Sequence, residues 1–256
     1  GISEELELAF GDIRLQSREI DMGSAEDPME ACFERGWSDG LPVVPPTPVR
    51  VLRMLKGTSR QPDEVVGLMP PDLVPVTVEK VAINAVLAGC KPEYMPVLLA
   101  ALEAALTDEF GLHGLICTTM FGSPMIVVNG PAARAIGMNS GVNALGQGNR
   151  ANATIGRALQ LLIRNVGGGR PGEIDRATLG NPGKYSFCFA EAEDADWLPL
   201  AQERGVEAGR SAVTLFPGEG VQGIVDQKSR DPESLARSFA LSLRTVDHAK
   251  LAMAGD

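Results

Sequence analysis

Histidine is nearly missing from this 256-residue chain, which has only two. Cysteine is scarce too: Cys32, Cys90, Cys117 and Cys188 stand alone, with no CxxC pair. Those two shortages argue against a thiolate–imidazole metal cage. The neighbours of the cysteines are mostly apolar, so reduced, buried thiols are expected at all four. Aromatics make up 5% of the chain, which leaves Val, Leu, Ile, Ala and Met to fill the core. Basic residues are outnumbered, 23 against 33 acidic, for a formal charge of −10. A protein so acidic lacks the basic face that general nucleic-acid binding requires. A local basic pocket for an anion remains compatible with that balance.

A long apolar run is also lacking. The longest stretch without a formal charge, 110–133, contains His113, Asn129, two prolines and several glycines. Its apolar residues fall into two short runs, so it reads as a hairpin and not a membrane span. No basic and apolar signal-like segment opens the sequence, and a cytoplasmic location is the expectation. Neither the phosphate-loop pattern nor the GxGxxG fingerprint occurs. The cofactor is therefore unknown, with no motif for a nucleotide or a metal.

What is present is an alternation of helical and β-rich segments. Hydrophobic residues reach 44%, ample for a core at this length. Residues 1–26 read as an acidic N-terminal arm and 27–256 as a single α/β domain, with 27–76 a candidate small helical lobe. Asp27 and Pro28 announce a helix, as do Thr47 and Pro48. The proline-rich tract 58–76 reads as a linker or extended surface crossing. Two strong helices follow, within 77–90 and 93–108. Asn84 lies about 60° from Val81 on the first, toward its apolar side, so it needs a hydrogen-bond partner.

"LICTT" (115–119) and "PMIVVNG" (124–130) are expected to pair as a hairpin. "PAARAIG" reads as a short helix, and "KYSFCFA", "SAVTLF" and "VQGIVDQ" as strands. A long helix capped by Asp231 and Pro232 closes the chain, with His248 as surface decoration. The expected fold class is α/β: a layered fold with a mixed sheet that includes a hairpin, and several amphipathic helices. An α+β arrangement is the alternative.

The strongest candidate for chemistry is "NSGVNALGQGNRANATIG" (139–156), rich in amides and glycines before a helix start. A helix N-terminus offers unsatisfied N–H groups and a partial positive charge. Asn149 can cap it, and Arg150 adds a bidentate grip for a carboxylate or phosphate. Asn149, Arg150 and Asn152 are thus candidate ligands of a small anion; the alternative is that these residues only build tight turns. On the same helix Ile155, Ala158, Leu159, Leu162 and Val166 form an apolar stripe. Arg157 and Arg164 lie opposite, expected as a solvated stripe or a subunit contact.

A second polar loop, "GGGRPGEIDRATLGNPGKYS", brings Arg176, Lys184 and Tyr185 as further binding candidates. Arg176 beside Asp175 reads equally well as an ion pair. His113 is the better acid–base candidate of the two histidines, and Asp39 in "GWSDGLPVVPP" is a carboxylate base or a turn-holder. Cys90 lacks the electropositive surroundings that activate a thiol.

Several phrases together carry a resemblance: "GWSDGLPVVPPTPVRV", "TVEKVAINAVLAGCKPEYMPVLLAA", "VNGPAARAIGMNSG", "GNRANATIGRALQLLIRNVGGGRPGE" and "GNPGKYSFCFAE". The chain resembles, over roughly residues 27–191, a largely uncharacterised bacterial family associated with UGSC-type thiol or selenol domains. That resemblance implies a two-component enzyme, in which a small partner subunit brings the cysteine or selenocysteine nucleophile. This chain has no Gly-Ser-Cys motif of its own. The functional expectation is an enzyme, or the substrate-binding subunit of one, acting on a small anionic or polar molecule. Oxidoreductase or lyase chemistry is favoured, in a homo- or hetero-oligomer without nucleic-acid or membrane partners. The alternatives are a non-catalytic scaffold or ligand-binding subunit and, more weakly, a lyase or hydrolase using a bound metal.

Overall fold

The computed structural model describes residues 15–193 and 196–244. The chain divides into two compact units, Gly1–Glu219 and Gly220–Asp256. The fold is α/β, with helices, a hairpin and a mixed sheet. No helix among the described residues is long and apolar enough to cross a membrane.

The first unit opens with two short helices, α1 (Pro28–Glu34) and α2 (Pro48–Leu55). Asp27 caps α1, its side chain accepting a bond from the Met29 N–H, with Pro28 in the first turn. The tract expected as a linker is instead a hairpin, β1 (Val65–Met69) against antiparallel β2 (Val74–Thr77). Its prolines sit where they interrupt nothing: Pro70 and Pro71 in the turn, Pro75 in a two-stranded sheet where both strands are edges. The turn docks on the glycines at 167–169, and the Asp72 N–H donates to the Gly167 carbonyl at 3.1 Å. A Cβ on Gly167 would lie 2.2 Å from the Pro70 carbonyl oxygen, so a side chain there would push the hairpin away.

Three helices hold most of the core: α3 (Val78–Ala88), α4 (Met95–Ala105) and α7 (Arg150–Asn165). Between α4 and α7 come α5 (Leu112–Cys117), strand β3 (Ser123–Asn129) and α6 (Pro131–Ala135). Asn84 has the partner its position demanded: its Oδ1 accepts from Asn165 Nδ2 of α7 at 3.0 Å. The apolar stripe of α7 is in place, with Ile155, Ala158, Leu159 and Leu162 buried and Val166 half-buried.

The mixed sheet runs β4–β3–β5, where β4 is Cys188–Ala190 and β5 is Ala212–Gly218. β3 pairs parallel with β4 and antiparallel with β5, from Ser123↔Gly218 to Asn129↔Ala212. The expected hairpin of 115–119 with 124–130 does not form, because Leu115–Cys117 close helix α5. Leu112 and Ile116, four apart, are buried on one face of that helix, and this packing overrides the weak β preference of the segment. A short helix, α8 (Leu200–Glu203), precedes β5.

In the second unit, 221–227 forms no strand, and Val221 and Val225 stand exposed. Helix α9 (Pro232–Leu243) begins at Asp231, which accepts the Ser234 N–H. The Asp226 carboxylate accepts bonds from Lys228, Ser229 and Ser238, and the Ser229 bonds above all hold it far below the usual carboxylate range. His248 and the end of the expected long helix lie outside the described residues.

Candidate functional site

The last two turns of α7 form one wall of a cavity of about 520 Å³. The other walls are α5, the start of β3 and the loop from Gly169 to Tyr185. Loop closure here is local: Asn181 Oδ1 accepts the Gly183 N–H while its Nδ2 donates to the Phe121 carbonyl. The cavity thus lies between rigid elements and a folded loop, a common setting for a small-molecule site.

Four charged residues line it, and three are accounted for within the chain. Asp39 holds Arg157 in a two-point pair, at 2.8 Å to Nε and 2.7 Å to Nη2. Arg157 Nη2 also donates to the carbonyls of Leu41 and Pro42, which fastens the 38–42 turn to α7. Arg157 is therefore not the solvated surface group that its position opposite the apolar stripe implied. Lys184 pairs with Asp175 at 2.7 Å. The fourth charge is Arg164. Its Nε is buried without a hydrogen-bond partner, and no carboxylate among the described residues pairs with it. Gln160, one helical turn earlier, and the half-exposed Tyr185 stand on the same cavity.

The candidates drawn from sequence separate accordingly. Asp39, Lys184 and Tyr185 are brought together on this cavity. Arg176 is exposed and off the lining, and Asp175 pairs with Lys184 instead of with its neighbour. His113 is the second residue of α5, exposed, and lines neither of the two cavities described here.

The amide-rich stretch serves the chain's own backbone. Asn149 Oδ1 accepts the Asn152 N–H, and its Nδ2 donates to the Gly137 carbonyl. Asn152 is buried, accepting from the Asn139 N–H and donating to the Asn139 and Ala144 carbonyls. Arg150 Nε donates to the Gly89 carbonyl at the end of α3. None of the three lines either cavity: Asn149 and Asn152 hold the loop at 137–149, and Arg150 ties the start of α7 to the end of α3.

Three of the four cysteines are buried as expected, whereas Cys117 is half-buried. Burial pushes the Cys90 thiol up to about 12 and raises Cys32 and Cys188 as well. Among the described residues no group of three or more His, Cys, Asp or Glu could hold a metal ion. The chain matches no family model, no curated protein and no solved structure.

Sequence reasoning missed Arg164, Gln160 and Asn181. The available signal was the spacing of Arg150, Arg157 and Arg164 every seven residues along one side of a helix. Only the folding of the 169–185 loop over that side turns a surface arginine into a cavity wall.

Proposed function

We propose that the chain binds a small carboxylate- or phosphate-bearing molecule in the Arg164 cavity, as the substrate-binding part of an enzyme. One observation carries the reading. In a cavity where Asp39 and Asp175 each have a cation, Arg164 has no counter-charge among the described residues. A guanidinium with a dry, unpaired Nε lacks a partner that folded proteins ordinarily supply. An oxyanion provides the compensating charge, and guanidinium geometry suits a planar carboxylate or a phosphate. The excess positive charge is local, since the chain as a whole carries −10.

Lys184 and Tyr185 stand at the same cavity as proton donors. Asp39, with both oxygens on Arg157, acts as a holder of the 38–42 turn and not as a free base. The nucleophile in this reading comes from a partner, a small subunit carrying a thiol or selenol, as the family resemblance implies. The raised thiols of Cys32, Cys90 and Cys188 support that division of labour.

A second reading, a non-catalytic scaffold, draws on the 139–149 loop. The amides of Asn139, Asn143 and Asn149 are engaged internally while Val142 is 96% exposed, which suits a contact with another chain. Calorimetric titration with inorganic phosphate and with malonate tests the first reading. Wild-type protein is expected to bind one of them, and Arg164→Met is expected to lose at least tenfold in affinity. Equal binding by both proteins would leave the scaffold reading standing.

A further inference from the structure

A second cavity, of about 430 Å³, meets the C-terminal end of α7. Its walls are α1, the start of α2, α3, the end of α7 and an extended strap at 15–22. Ile83, Leu87, Val51, Trp37 and Met22 give it a mainly apolar lining, although Arg18, Glu19, Arg35, Glu79 and Lys80 also border it. That volume falls within the range of small-molecule sites.

Two asparagines, Asn84 and Asn165, are on the lining, and their hydrogen bonds can be counted. Asn84 Nδ2 donates to the Lys80 carbonyl, and Asn84 Oδ1 accepts from Asn165 Nδ2. Asn165 Nδ2 also donates to the Trp37 carbonyl. Both N–H groups of that amide therefore meet acceptors, and exchanging its O and N would set an oxygen against two oxygens. The orientation is fixed, and Asn165 Oδ1 is left buried without a partner.

The strap is latched. Glu79 is 2% exposed, and its two carboxylate oxygens accept the backbone N–H groups of Gln16 at 2.8 Å and Ser17 at 2.9 Å. Leu15 packs against the core beside it. Releasing the strap would strip a buried carboxylate of these two bonds, which favours the closed position.

We propose that this cavity is a second ligand site, for a small, uncharged, mainly apolar molecule with one hydrogen-bond donor. The donor, a hydroxyl or amide N–H, meets the Asn165 carboxamide oxygen; the body lies against Ile83, Leu87 and Trp37, and the Glu79-latched strap covers it. This site stands independently of the Arg164 reading.

The test uses the full chain with 1-naphthol, naphthalene and 1-naphthoate as probes, followed by saturation-transfer NMR and titration. 1-Naphthol is expected to bind about fivefold more tightly than naphthalene, the worth of one hydrogen bond, and 1-naphthoate more weakly than 1-naphthol. Asn165→Leu removes the naphthol advantage, Ile83→Trp fills the space and removes binding of both, and Arg164→Met changes neither. Circular-dichroism melts identify variants that fail to fold. Trypsin cleavage after Arg18 supplies a readout on wild-type protein: 1-naphthol slows it, and Glu79→Gln, which weakens the latch, speeds it severalfold. Absence of 1-naphthol binding at millimolar concentration would overturn the proposal, as would binding unaltered by a folded Ile83→Trp protein or an unaltered preference in folded Asn165→Leu.

Discussion

Arg164 and Asn165, successive residues in the last turn of α7, line different cavities, and each carries a buried polar atom without a hydrogen-bond partner. Adjacent residues on a helix point about 100° apart, so one helix end serves both spaces. Buried polar groups in folded proteins are nearly always satisfied. Two such orphans side by side, on residues that line two cavities, are the ground on which both proposed sites rest.

The Asp39–Arg157 pair is the fastening of the 38–42 turn, with side chains 12% and 14% exposed. Removing one partner leaves a shielded charge alone, which costs more than the pair contributes. Arg157→Ala is expected to lower unfolding stability by about 3 kcal/mol, measured by urea denaturation. The double variant Asp39→Asn with Arg157→Ala is expected to recover part of that loss.

Gly156 lets α7 approach the segment leading into β4. A Cβ there would sit 2.4 Å from Ser186 Oγ and 2.9 Å from the Phe187 nitrogen. Gly156→Ala is expected to destabilise the fold by about 1–3 kcal/mol despite the better helix propensity of alanine. A rise in melting temperature would contradict the close approach.

Cys90 offers a pH test. Burial raises its thiol from an ordinary 9.0 to about 12, so the folded chain keeps a proton that the unfolded chain releases. The resulting stability is complete below pH 9 and is lost as pH rises toward 12. Cys90→Ala is expected to flatten the decline of stability over that window. In the native protein Cys117, the half-buried thiol, is expected to react first with a maleimide, with Cys32, Cys90 and Cys188 protected.

His113 lines neither cavity. His113→Ala is therefore expected to leave anion binding within twofold of wild type. A larger loss would return the histidine to the site.

Much of the helical architecture is readable in the sequence because its signals are local. Asp27–Pro28 and Asp231–Pro232 mark helix starts, and the stripe from Ile155 to Leu162 marks a buried face. The sheet was less legible: β3 takes its antiparallel partner from 212–218, far along the chain, while the nearer "LICTT" winds into α5. The first hairpin was hidden by its prolines, which sit in the turn and on an edge. Residue type directs attention to the polar loop at 167–185, and Lys184 and Tyr185 of that loop line the first cavity. Asn149 and Asn152 bond to the backbone of their own loop, since an amide-rich loop can satisfy itself. Arg164 is not legible from sequence because its surroundings come from α5, the start of β3 and the 169–185 loop, which only tertiary folding assembles.

The central claim is that Arg164 holds an anion. Anomalous diffraction from crystals grown with selenate tests it directly. The account predicts a selenium peak within hydrogen-bonding distance of the Arg164 guanidinium, absent in Arg164→Met. A peak at the Asn149–Arg150 helix start, with the Arg164 cavity empty, would contradict it.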